Sequence, residues 1–125
     1  MVDLSGTWLG TYWQHSNPTR FELTLIHRGN TLTGNSLDHS YLGEACWSGT
    51  VSGRHIQCTK RYLLKQQPPI NYQGTVSEDG NAIHGTWDFG RLGSGTWEAH
   101  RSGESLTLTL QKNVETRVPA SVTLA

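Results

Sequence analysis

Cysteine is scarce. Cys46 and Cys58 are the only two in 125 residues, too few for a disulfide scaffold and not at metal-ligand spacing. Net charge is missing as well: ten Lys+Arg balance ten Asp+Glu. No global field therefore favours nucleic acid or an acidic membrane surface, and neither is an expected partner. No stretch approaches the roughly 18 consecutive apolar residues that a membrane helix needs. The opening Met1-Val2-Asp3-Leu4-Ser5-Gly6-Thr7-Trp8 shows no basic segment followed by an apolar one, so a cytoplasmic location is expected. The six His show neither H-x-H nor His-Glu-x-x-His spacing. With no Gly-rich phosphate loop, paired carboxylates or nucleophile triad either, no metal and no cofactor is expected. Helical periodicity is almost absent, which excludes bundle and α/β folds.

What remains is alternation. Short segments rich in Thr, Val, Ile, Trp and Tyr are punctuated by Gly, Asn and Asp, about one per dozen residues, as in a β-sandwich or barrel. Strands are predicted at 5–14, 19–27, 31–37, 43–51, 54–62, 70–78, 81–89 and 94–101, with a ninth candidate at 105–111. Asp79-Gly80 reads as a type I′ turn that pairs Val76 with Ile83, Gly74 with Gly85, Tyr72 with Trp87 and Ile70 with Phe89. That register puts Thr75, Gln73 and Asn71 on the opposite face with His84, Thr86 and Asp88, and a one-residue slip would scramble the sorting. Ser52-Gly53 reads as a second turn, pairing Gly49 with Ile56 and Trp47 with Cys58. Cys46 and Cys58 then face opposite ways, so they do not form a disulfide. Gly29-Asn30 is a third turn, pairing Leu25 with Gly34.

The inward-facing set includes Trp8, Gly10 and Tyr12 of the first strand, Phe21 of the second, Ser36 of the third and Trp47 of the fourth. It continues with Lys60 and Tyr62, Ile70 and Tyr72, Ile83, Gly85 and Trp87, and Gly95, Trp97 and Arg101. Many inward glycines let a sheet coil tightly, and closure removes exposed edges. The predicted fold is all-β: an eight-stranded antiparallel up-and-down β-barrel over residues 1–103. A C-terminal strand and tail, 104–125, belongs to the same domain or serves as an interface arm. Gly-Thr-Trp recurs at 6–8, 85–87 and 95–97; irregular intervals favour a repeated strand solution over an internal duplication.

Asp3-Leu4-Ser5-Gly6-Thr7-Trp8 opening the first strand, with Arg101 ending the eighth, resembles the calycin barrels: lipocalins, fatty-acid-binding proteins and avidins. Thr31-Leu32-Thr33-Gly34 after a tight turn is similar to avidins. The resemblance implies that Trp8 closes one end of the barrel with Arg101 packed over it, and that the other end takes a small molecule. It does not carry a particular ligand. Gly10 stands where avidins have a polar biotin contact, and Arg101-Ser102-Gly103 stands in place of the Arg-x-Tyr pair of fatty-acid-binding proteins.

The end away from Trp8 collects Tyr12, Phe21, Lys60, Tyr62, Tyr72, Trp87 and Trp97 as candidate ligand-binding residues. Aromatic walls with a few convergent polar groups are typical of small-molecule pockets. Lys60 points to an anionic or carbonyl-bearing group on an apolar or amphipathic ligand, with the tyrosines as hydrogen-bond donors. Two other readings stand beside this one. Lys60 and Tyr62 would serve a small isomerase- or cyclase-type enzyme if burial lowered the lysine pKa. A filled barrel would instead suit a protein-interaction or inhibitor module. On the outside, His84 and His100 are candidates for an opposed pair. Leu9 and Trp13, with Ile26 and the 105–111 strand, are the expected surface for a homo-oligomer.

Overall fold

A computed structural model describes residues 3–102. The candidate ninth strand and the 104–125 arm lie outside the described residues. Eight antiparallel strands form a closed up-and-down barrel: Gly6–Gln14 (β1), Asn17–Arg28 (β2), Thr31–Asp38 (β3), Glu44–Ser52 (β4), His55–Tyr62 (β5), Ile70–Val76 (β6), Ala82–Asp88 (β7) and Ser94–Arg101 (β8). Each strand pairs with its sequence neighbours, and β8 returns to β1 with Trp8 opposite Arg101 and Tyr12 opposite Trp97. Apolar side chains alternate inward around the ring, so one continuous core fills the lumen from Leu4 and Trp8 to Tyr12 and Trp87.

Three hairpins show how turn chemistry and register relate. Gly29-Asn30 joins β2 to β3 with Leu25 opposite Gly34. At Asp79-Gly80 the predicted register holds, with Val76 opposite Ile83 and Tyr72 opposite Trp87, but the turn differs from type I′. Gly80 alone takes a positive φ, 77°. The Asp79 carboxylate accepts from Ser77 Oγ and Asn81 N, so a side chain shapes a longer loop that keeps the same pairing. The ladder ends at Asn71 opposite Asp88, so Ile70 and Phe89 are not paired. At the β4–β5 turn the central residues are Gly53 and Arg54, with Ser52 opposite His55. This shifts the predicted register by two, giving Gly49 opposite Cys58 and Trp47 opposite Lys60. Gly53 at φ 60° occupies the first central position, which suits a type II′ turn. A shift of two leaves every side chain on its predicted face. Cys46 and Cys58 are both free thiols.

The β1–β2 turn had no sequence signal. His15 and Ser16 both adopt positive φ, 51° and 72°, so two non-glycine residues make the tight turn and β2 begins at Asn17.

The inward glycines serve the aromatic rings as well as the curvature. A Cβ on Gly10 would lie 2.4 Å from Phe21 Cζ, and one on Gly95 would lie 2.6 Å from Trp87 Cζ2. Phe21 and Trp87 lie across these bare backbone patches, their cross-strand partners, so large rings fit against the wall of a narrow barrel.

Candidate functional site

The two ends of the barrel are built differently. At one end Trp8 is fully buried and its Nε1 donates to Leu4 O at 3.0 Å. The Arg101 guanidinium sits 4.5 Å from the Trp8 ring centroid and donates to the carbonyls of Ser5, Asp3 and Gly80. A cation over the indole face, with its N–H groups tied to three backbone segments, plugs this end. The turns here are short and polar: Gly29-Asn30, Gly53-Arg54 and Ser77–Asn81.

At the opposite end, β3–β4, β5–β6 and β7–β8 are joined by longer loops, 39–43, 63–69 and 89–93. Below them lies a polar cluster inside the lumen. Lys60 on β5 has no exposed surface, and its ammonium donates to both carboxylate oxygens of Asp38, at 2.8 and 3.1 Å. Asp38 Oδ2 also accepts from Tyr12 Oη at 2.9 Å and Tyr62 Oη at 2.5 Å. Around the ammonium stand the rings of Tyr12, Phe21, Trp47, Tyr62 and Tyr72, with centroids 4.9–5.6 Å away. Alternation brings these groups together. β3 points Leu32, Gly34, Ser36 and Asp38 inward, and β5 points Ile56, Cys58, Lys60 and Tyr62 inward.

Electrostatics follow from this packing. Burial pulls the Lys60 pKa below its ordinary value, and the neighbouring Asp38 carboxylate opposes that pull. Burial pushes the Tyr12 phenol up to about 12 and drives Tyr62 and Tyr72 well above the usual phenol range, with the Asp38 charge adding to each. These phenols are therefore held protonated, Tyr12 and Tyr62 as donors to Asp38. Burial also pushes the Cys58 thiol up to about 12. Among the described residues no buried side-chain nitrogen or oxygen lacks a hydrogen-bond partner.

The sequence places Lys60 correctly but omits its partner. The ammonium is not a free docking point for an acid; it belongs to an internal ion pair. It is likewise not a free base for isomerase chemistry. Phe21 stacks on Trp47 at 6.0 Å, and Tyr72 meets Trp47 at 4.4 Å. Trp97 packs edge-on against Tyr72 and donates from Nε1 to Gln73 O. Trp87 lies along the wall, its Nε1 shared between the carbonyls of Trp13 and Thr96. The two indoles thus form a second layer that backs the ring around Lys60, Trp97 against Tyr72 and Trp47 and Trp87 edge-on to Tyr12. Tyr12 and Tyr62 are nearest the rim, at 8% and 9% exposure, with Ile70 and Phe89 partly buried beside the core.

A second feature of this end had no sequence reading at all. Among the described residues the large exposed apolar side chains are Ile26, Leu37, Tyr41, Leu63, Leu64 and Leu92. Tyr41, Leu63, Leu64 and Leu92 lie on the three long loops, and Leu37 lies on β3 just below them. Ile26 is the exception, near the Trp8 end. The other outer-face expectations are corrected by register. His84 pairs with Glu98 and His100 with Ala82, so the two imidazoles are not opposed. Leu9 and Trp13 are half-buried and oppose Glu22 and Pro18, while Ile26 opposes Thr33; the three do not join into a strip. An outer groove of about 530 Å³ is lined mostly by polar groups, including Gln57, Thr75 and His84.

No protein-family model matches the chain, and no curated protein does. Among solved structures it is similar to a de novo designed fluorescence-activating β-barrel. The two share 15% identity with a TM-score of 0.56 over 81% of this chain and 99% of that one. At that identity the likeness speaks for the fold.

Proposed function

We propose that the protein binds a small apolar or amphipathic molecule at the loop end of the barrel, in the mouth rimmed by Tyr12, Tyr62 and Phe89. The observation that carries this reading is the one-sided distribution of exposed apolar side chains. Tyr41, Leu63, Leu64 and Leu92 stand on the loops over the mouth, whereas the turns of the Trp8 end are polar. Exposed apolar groups gathered in one place mark contact with something apolar. Beneath them the cluster of Asp38, Lys60, Tyr12 and Tyr62 is internally neutral. An apolar body is therefore the recognised part of the ligand, and an acidic group is not required. That a designed barrel of similar fold is described as fluorescence-activating is consistent with small-molecule use of this architecture.

The filled lumen favours a second reading, a protein-interaction module that uses the same loops. Titration separates the two. Oleate and anilinonaphthalene sulfonate are added to the protein while tryptophan emission and probe fluorescence are followed, for the parent and for Leu64→Asp and Phe89→Ala. Saturable binding weakened in both variants supports the ligand reading. Absence of binding by either probe favours the interaction module.

A further inference from the structure

The loop end combines two properties that no other part of the described surface combines. The first is the apolar set just described, on three separate loops around a ring. The second is charge. The four connections at this end, 15–16, 39–43, 63–69 and 89–93, contain Lys65, Arg91, His15 and His39 and no Asp or Glu. Among the described residues the carboxylates lie on strands, with Glu44 and Asp88 at the strand ends that adjoin these loops, or at the other end of the barrel, as with Asp3, Glu78 and Asp79. The Lys65 ammonium reaches to 6.0 Å from the Tyr41 ring centroid, so the cation and the aromatic tip of two neighbouring loops lie side by side.

We infer that this end docks on an anionic lipid surface, with Leu63, Leu64, Leu92 and Tyr41 entering the headgroup layer and Lys65 and Arg91 pairing with lipid phosphates or carboxylates. Leucines beside cations, with tyrosine at the boundary, are the chemistry of interfacial binding. Apolar tips spaced around a ring suit a fluid surface that closes around each of them. A fixed protein partner would call for one continuous patch with acceptors and donors in register. The loops are anchored for such a role: Leu63 N donates to Glu44 O, Asp38 N to Gly43 O, and Phe89 N to Gly93 O. The inference rests on the mouth being the functional end, and it gives that mouth a source of amphipathic ligand.

The test is co-sedimentation with vesicles of phosphatidylcholine alone and of phosphatidylcholine mixed with phosphatidylserine, with no other ligand present. Its outcome is thus independent of the probe titrations. The parent binds the mixed vesicles more tightly, and salt weakens that binding. Leu64→Asp lowers partitioning by about tenfold or more, and Lys65→Gln and Arg91→Gln lower it by about fivefold each. Ile26→Asp, at the far end, leaves it unchanged. Near-ultraviolet circular dichroism checks that each variant keeps its aromatic packing. The inference is overturned if the parent fails to sediment with mixed vesicles, or if Ile26→Asp costs as much as Leu64→Asp. It is equally overturned if the parent ignores vesicles but sediments as a dimer that Leu64→Asp dissociates, which would make the face an interface between copies of this chain.

Discussion

Replacing Lys60 by methionine isolates the ion pair at the heart of the loop end. Methionine keeps the length of the apolar stem among Tyr12, Phe21, Trp47 and Tyr72 but removes the ammonium that contacts both oxygens of Asp38. Asp38 Oδ2 retains two phenol donors, whereas Oδ1 is left without a partner in a site closed to water. Breaking a buried pair in this way costs about 3–5 kcal/mol; the surviving phenols put this case near the lower figure. For a domain of this size that corresponds to a fall in melting temperature of about 12 °C or more. Urea unfolding of the parent, Lys60→Met, Asp38→Asn and the double variant gives the coupling energy. The double variant leaves a neutral amide that still accepts from the tyrosines, so it should be more stable than the sum of the single losses by about 1–3 kcal/mol. A Lys60→Met loss below about 1 kcal/mol, the range of surface pairs, with additive single changes, would refute the buried-pair argument.

Gly95→Ala and Gly10→Ala should each lose about 1–3 kcal/mol in urea unfolding, since the new methyl meets Trp87 or Phe21 well inside contact distance; Gly95→Ala should also shift tryptophan emission. Arg101→Met should cost about 2–3 kcal/mol by removing the contact over Trp8 and three carbonyl hydrogen bonds. Probe binding at the far mouth should be unchanged. Alkaline stability has a defined sign. Tyr12 is raised from 10.0 to about 12 and Cys58 from 9.0 to about 12, so their contributions are full below those lower values and are lost as pH approaches 12. Tyr62 and Tyr72 act in the same direction, while the lowered Lys60 pKa opposes them and favours the fold as pH rises. With three raised phenols and a raised thiol against one amine, unfolding free energy should fall between pH 10 and 12; a flat or rising curve there would contradict the assignment.

Alternation with period two carried much of the architecture. It tolerated the two-residue shift at Gly53-Arg54 because such a shift returns each side chain to its own face. It also placed Lys60 in the lumen. Asp38 was lost for a local reason. Followed by His39 and Ser40, an aspartate reads as a turn residue, and the predicted third strand stopped at 37. One more step of the Leu32, Gly34, Ser36 series would have brought it inward opposite Phe21. The His15-Ser16 turn carried no glycine or asparagine to announce its positive φ. The apolar loop tips were missed for another reason: a connection has no alternation to sort exposed from buried side chains, so Leu63, Leu64 and Leu92 gave no pattern to read.

Binding of a small molecule at the loop end is the central claim made for this barrel. The most direct measurement is a ¹H–¹⁵N NMR titration of the labelled protein with anilinonaphthalene sulfonate. Shift changes are expected in 39–43, 63–69 and 89–93 and at the adjoining strand ends near Tyr12 and Tyr62, with Gly29, Gly53 and Gly80 unmoved. Changes centred on those three turns, or on the outer face around Gln57 and His84, would contradict it.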